Sequence, residues 1–357
     1  MRLTFVKIPV ICLVVAMAGT ATMADQGSKF VLGGYVDWTF TYNKGNIPPS
    51  TFNSSHFNPI FLYQLEDNLM ASAEIEIETG GDEFILEYGQ IDYLANDYLT
   101  FTAGKFLVPF GVFNRRLHPT WISRVPGMPL SNDQVVPTDW SETGLMVSGA
   151  AGFGDQGGRI NYAAYVVNGL EGPSGTDIPE MRKERDPRDT YNSNKGVGGR
   201  LGMVPAAGVE FGFSGFTCKY DTNAIPRLNI NMYGADAEYH WQDLFELRGE
   251  FNQADQQIQP DSLDAKNLPY WRKRGYYLQA ALRLAVTDKD LLMPVELALR
   301  FSGQDSPGIE NDFHEVTPCV NYSLGSSAFL RLAYSFYSGS KTEMPTNQFT
   351  ALLTKAL

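Results

Sequence analysis

Cysteine is scarce. The 357-residue chain holds three, and Cys12 lies in an apolar leader, which leaves Cys218 and Cys319. Two cysteines exclude a disulfide framework. Two unlinked small residues are expected, with a single bridge as the alternative. Histidine is nearly as rare: His56, His118, His240 and His314 are the four available bases, and none stands in a nucleophile–base–orienter arrangement. No enzyme is expected. Basic charge is short as well, with 28 Lys and Arg against 40 Asp and Glu and a pI near 4.8, which argues against nucleic acid as a partner. No metal-ligand spacing and no phosphate-binding loop stands out, so no metal and no cofactor is expected. After the leader, no apolar run reaches the length of a spanning helix, and no segment of useful length carries helical periodicity.

What the chain does have is glycine (34 residues), aromatics (13%) and a secretory leader. Residues 1–24 read as a signal peptide: Arg2 and Lys7 form the charged region, IPVICLVVAMAG the apolar region, and Thr22-Met23-Ala24 the cleavage site. An exported chain without spanning helices can sit in a membrane only as a closed barrel.

Residues 25–357 fit that form. Period-two alternation is clearest at 69–79, where Ala71, Ala73, Ile75 and Ile77 alternate with Ser72, Glu74, Glu76 and Glu78. Sixteen such segments run from 30–43, 57–65 and 69–79 through to 313–324, 328–338 and 347–357. The connections alternate between long stretches (44–56, 108–142, 169–194, 255–271) and turns of two to four residues, with 80–82 as one short exception in the long class. That is the pattern of an up-and-down barrel. The fold class expected is all-β, a 16-stranded antiparallel transmembrane β-barrel in one domain.

In a barrel of this size the apolar face meets lipid and the polar face lines a wet lumen. Parity then places Arg159, Arg200, Arg248, Arg283, Arg300 and Arg331 on the lumen wall, together with acids that include Glu74, Glu76 and Glu78. Two readings stand for these arginines. They form a basic wall that draws anions, or they brace the wall against lumen carboxylates. Small inward residues (Gly198, Gly202, Ala281, Ala298) argue against a plugged interior.

The longest internal connection follows residues 101–107. Pro109 cannot donate a ladder hydrogen bond and Gly111 permits a sharp bend. Lys105, Arg115, Arg116 and Arg124 then meet no carboxylate before Asp133. If loop 108–142 enters the lumen, these four form a basic, anion-attracting constriction. The other reading is an external surface loop.

FTAGKFLVPFG, with Gly104, Lys105, Phe106, Pro109, Phe110 and Gly111, resembles the hallmark of the phosphate-selective porin O and P family of Gram-negative outer membranes. Tyr165-Val166-Val167-Asn168-Gly169 and GGYVDWTF in the first segment are further echoes. The resemblance implies a homotrimeric, water-filled channel in outer-membrane lipid, narrowed by its third long loop and passing small hydrophilic solutes. Phosphate-selecting members cluster lysines at the constriction; here arginines dominate, which shifts the expectation to a modest anion preference. The alternative is a non-channel barrel acting as a structural or adhesive surface protein.

Overall fold

Strict alternation of apolar and polar side chains forces an extended backbone, because only a pleated strand sends successive residues to opposite faces. The computed structural model describes residues 29–43, 49–53, 56–78, 81, 83–117, 119–137, 139–154, 157–184, 194–221, 228–259, 270–286, 290, 292–305, 312–340 and 345–357. The leader and His118 lie outside the described residues.

The strands are β1 (Phe30–Asn43), β2 (Ser50–Asn53), β3 (His56–Glu66), β4 (Leu69–Glu78), β5 (Glu83–Asn96), β6 (Leu99–Leu107), β7 (Ser141–Phe153), β8 (Gly158–Val167) and β9 (Gly196–Ala206). They continue as β10 (Val209–Lys219), β11 (Asn229–Trp241), β12 (Phe245–Gln257), β13 (Tyr270–Arg283), β14 (Val295–Asp305), β15 (Phe313–Ser323), β16 (Ala328–Gly339) and β17 (Gln348–Ala356). Each pairs antiparallel with its sequence neighbour, and β1 closes on β17 from Tyr35↔Ala356 to Asn43↔Gln348. β2 and β3 lie along the same edge of β1, against Thr39–Tyr42 and Phe30–Val36, so together they make one stave. The result is a closed 16-strand antiparallel barrel. Ser50–Asn53 lies in a stretch expected to be a polar loop; pairing there satisfies backbone groups of β1 that would otherwise form an open edge. The break in alternation near Glu87 is a β-bulge: Leu86 opposes Ile75 and Tyr88 opposes Glu74, which leaves Glu87 extra. Among the described residues, no helix is long and apolar enough to cross a membrane.

The outward face is apolar and exposed, with Phe213, Phe251, Leu278, Leu299, Val320 and Leu332 on β10 and β12–β16. Tyr233, Tyr239, Trp241, Tyr322 and Phe336 are exposed among them. Past Tyr233 and Tyr276 the outward positions turn polar, and Arg272 pairs with Asp255 at 2.6 Å. The inward face holds Glu210, Asp236, Glu246, Arg248, Glu296, Arg300 and Glu315, all buried.

The interior is not uniformly wet, as the sequence led one to expect. Phe106, Val108, Phe110, Trp140, Tyr165, Leu170, Ile178, Met181 and Phe216 form one buried apolar cluster. It joins the walls of β6–β8 and β10–β12 to the loop after β6 and to the helix Ile178–Glu184. Cys218 and Cys319 are both buried and are not joined in a disulfide.

Candidate functional site

Loop 108–140 runs inside the barrel. Its two ends are clamped together: Val108 N–H donates to the Trp140 carbonyl (2.9 Å), Asn114 Nδ2 donates to the Val108 (3.0 Å) and Trp140 (2.8 Å) carbonyls, and Trp140 N–H donates to Asn114 Oδ1 (2.8 Å). Gly111 has φ +63°, and a Cβ there would lie 2.3 Å from Glu250 Oε1. Glycine therefore meets two demands, a left-handed turn and the approach of a side chain from β12.

That side chain is the main anchor. Glu250 Oε2 accepts from the Val112 (2.9 Å) and Phe113 (3.1 Å) N–H groups at the start of the short helix Phe113–Arg116. Its Oε1 accepts from Asn132 Nδ2 (2.8 Å) and Asn252 Nδ2 (2.8 Å). Asn132 lies in the π-helical turn Ser131–Val135, so one carboxylate holds both helical pieces of the loop.

The wall arginines also hold the loop. Arg300 donates to the Gly127 (2.7 Å) and Pro126 (3.3 Å) carbonyls, and Arg331 to the Trp121 carbonyl (3.1 Å). Arg200 pairs with Asp236 (2.5 Å) and Glu210 (3.1 Å), Arg248 with Glu246 (2.5 Å), and Arg283 with Glu296 (3.5 Å). Arg159 keeps inward parity and is exposed at the short-turn end of β8. Arg200, Arg248, Arg283 and Arg300 (3.5 Å from Glu315) lie against lumen carboxylates, as the bracing reading has it, whereas Arg331 hydrogen-bonds only the loop carbonyl among the described residues. The small inward residues have the same logic. A Cβ on Gly198 or Gly202 would meet Tyr165 Oη (2.4 Å) or Asn161 Oδ1 (2.1 Å), and Ala281 and Ala298 pack with Val125 of the loop.

The four residues expected to form a free basic group part company. Arg116 reaches Glu210 (2.9 Å) and Glu238 (3.2 Å), and Arg124 lies 3.7 Å from Glu246 and 3.5 Å from Glu296. Burial opposes the charge on Arg116, yet its hydrogen bonds to Glu210 and the two carboxylates outweigh that and raise its pKa. The absence of nearby acids in sequence is overturned because lumen acids more than 80 residues away supply the partners. Lys105 faces outward with Phe101 and Ala103, and its ammonium donates to the Leu86 carbonyl of the neighbouring strand. It is not in the lumen. Arg115 keeps solvent contact and has no ion pair among the described residues; enclosure and the like charge of Arg116 lower its pKa.

Two cavities adjoin the loop. One, of about 450 Å³, lies between the loop and the walls of β1, β3, β4 and β14–β17. Its acids are Asp37, Glu76, Asp133, Asp139 and Glu315, against Arg300 and His56. The other, of about 460 Å³, is lined by Arg124, Arg283 and Arg331 against Glu296. Arg331 is 1% exposed, and its Nε and Nη1 have no hydrogen-bond partner among the described residues.

The barrel has counterparts among known structures. The chain is similar to an anion-selective porin from Comamonas acidovorans, at TM-score 0.65 and 12% identity over 93% of this chain and 100% of that one. It is similar to OmpF of Salmonella typhi in complex with daunomycin (TM-score 0.63, 10% identity, 93% and 98% of the two chains). It also resembles the outer membrane channel DcaP of Acinetobacter baumannii (TM-score 0.61, 9% identity, 94% and 99%). At such identities the likeness is one of fold, that of the bacterial porins. In sequence, the chain is 30% identical over 221 residues to an uncharacterized protein of Aquifex aeolicus (strain VF5), which is 59% of this chain and 49% of that one. The aligned part thus spans about half the length of that curated relative. No family model matches.

Sequence reading missed the anchoring roles of Glu250, Asn114 and Asn132. Glu250 differs from other lumen acids only in sitting opposite the loop, and no local pattern marks that. For Lys105 the signal was present: the parity that sends Phe101 and Ala103 outward sends Lys105 outward too.

Proposed function

We propose that this protein is an outer-membrane channel for passive diffusion of small hydrophilic solutes, exported through a cleaved leader and working as a homotrimer without catalysis. The observation that carries the reading is the loop pinned inside a closed barrel, with charged cavities left along it. An apolar belt outside and ion-paired polar groups inside suit a barrel in lipid, and lipid is accordingly a partner. The porin-like neighbours, one of them a trimer form of an outer membrane protein, support the same assembly.

A modest anion preference fits the net positive lining of the second cavity, where Arg124, Arg283 and Arg331 face Glu296. Arg331 offers N–H groups with no partner there, beside Arg124 and Arg283. By contrast, Glu315 already accepts from Ser302, Thr317 and Ser335, and Asp37 from Thr120 and His56. Charges compensated in this way attract less than bare ones. A weak cation preference is the second reading, carried by the greater number of acids around the first cavity. Phosphate selectivity has no lysine cluster to rest on. The apolar cluster that fills one sector favours a plugged, non-channel barrel as the remaining alternative.

Reversal potentials of single channels in a salt gradient decide among these. The expected result is a conducting pore with modest anion preference that moves toward cations in Arg331→Gln and further toward anions in Glu76→Gln. A cation-selective wild type would overturn the preference, and a folded trimer without conductance would overturn the channel.

A further inference from the structure

The register of β3 against β4 sets His56 opposite Glu78, and Glu76 lies on the same inward face. His56 Nε2 is 3.3 Å from Glu78 Oε1 and 3.9 Å from Glu76 Oε1. One ligand atom from each of the three residues can be chosen so that all lie within 4.8 Å of one another. An imidazole and two carboxylates are a donor set for a late first-row divalent cation.

The imidazole is oriented from behind. Its Nδ1 is 2.8 Å from Asp37 Oδ2, and Asp37 is itself fixed by the His56 backbone N–H (3.0 Å) and by Thr120 Oγ1 of the loop (2.6 Å). With Nδ1–H given to Asp37, the neutral ring presents Nε2 as an acceptor toward two more acceptors. Acceptor atoms of all three residues then converge, an arrangement that a bound cation or a second proton on the imidazole relieves. This carboxylate–histidine arrangement is the one that fixes metal-binding imidazoles generally.

A second observation stands beside it. Asn58 is fully buried on the same face of β3, with its Nδ2 2.9 Å from Glu74 Oε1 and 3.3 Å from Glu76 Oε1. The Oδ1 of that amide has no hydrogen-bond partner among the described residues. A hydrated ion next to Glu76 would supply the missing donor. His56 and Glu76 both line the 450 Å³ cavity, so an ion can reach them.

We propose that His56, Glu76 and Glu78, with Asp37 as positioning residue, form a binding site for a divalent cation of the Zn²⁺ or Co²⁺ type on the wall of the cavity. Sequence spacing conceals the site, since 20 residues separate His56 from Glu76 and only strand pairing unites them. The chemistry is that of a soft-to-borderline ion; Mg²⁺, which prefers oxygen ligands alone, binds less well. The alternative occupant of the same geometry is a second proton on the imidazole.

The test is titration of the metal-stripped, detergent-folded full chain with Zn²⁺ by calorimetry and with Co²⁺ by visible absorption. The expected result is one Zn²⁺ per chain, Co²⁺ bands of a low-coordinate imidazole site, and Mg²⁺ unable to displace either ion. His56→Gln and Glu78→Gln should abolish binding, and Asp37→Asn should weaken it roughly 10–100-fold. His240→Gln should leave binding unchanged, although His240 Nδ1 lies 3.8 Å from Glu246. Heat-modifiable gel mobility verifies that each variant is folded. Absence of Zn²⁺ binding in the folded wild type, or equal binding by folded His56→Gln, would overturn the site. Because binding is read without conduction, a non-conducting barrel would leave this result interpretable by itself.

Discussion

Glu250→Gln tests the anchoring of the loop. The carboxylate accepts four hydrogen bonds, two through each oxygen: Val112 and Phe113 N–H on Oε2, and the Asn132 and Asn252 amides on Oε1. A glutamine has the same shape but replaces one oxygen with a donor, so either pair ends facing a like group. Hydrogen bonds to charged groups contribute about 1.5–3 kcal/mol each. Some relaxation is available because the Asn side chains can turn, so a net loss of about 2 kcal/mol in loop docking is the working figure. That corresponds to roughly 30-fold easier local opening, given that about 1.4 kcal/mol is tenfold. Hydrogen exchange of the detergent-folded protein should show it at Val112 and Phe113, with the strand ladders unchanged. The reasoning fails if those two amides keep their protection in a folded variant. It also fails if all strands lose protection equally, since Glu250 would then support the barrel rather than the loop.

Gly111→Ala should displace the loop start, because the added Cβ meets Glu250 and the left-handed φ costs about 1–2 kcal/mol; a lower temperature for loss of heat-modifiable mobility checks it. Arg116→Ala and Glu210→Gln should be non-additive, because the two side chains share an ion pair within one network, in which Glu210 keeps Arg200 and Arg116 keeps Glu238; a double-mutant cycle on denaturation midpoints measures this. Deleting 113–135 should raise single-channel conductance, and an unchanged value in a folded deletion would place the loop away from the ion path. Lys105→Ala should leave the reversal potential where it is, since the side chain points out of the barrel.

The barrel was legible because its determinant is local. Alternation at 69–79 or 292–304 states which face is apolar without reference to any other strand, and turn lengths state how strands connect. Boundaries held within a few residues for the same reason. The site was less legible because its determinants are separated by most of the chain. Arg116 looks unopposed in sequence, yet Glu210 and Glu238 lie 94 and 122 residues away. The apolar filling was hidden by a general rule, that a large barrel has a polar lumen, which fails where Phe106, Tyr165 and Phe216 face an apolar loop rather than water.

The loop is anchored to the middle of the chain, by Glu210, Glu238, Glu250 and Arg300, while the acidic cavity is walled by β1, β3, β4 and β14–β17. The seam at which the barrel closes therefore runs through the wall of that cavity. During assembly the order follows from this: the anchors on β10–β14 can hold the start of the loop before closure, Arg331 of β16 and Asp37 of β1 add theirs later, and the cavity is enclosed only when β17 zips onto β1. An unfinished barrel is then a groove open to one side. Expulsion of lipid from that groove, and wetting of the cavity, become the final event of biogenesis. A chain truncated before Gln348 should retain exchange protection at Val112 while conducting no discrete single-channel steps, and protection lost together with the last strand would disprove this order.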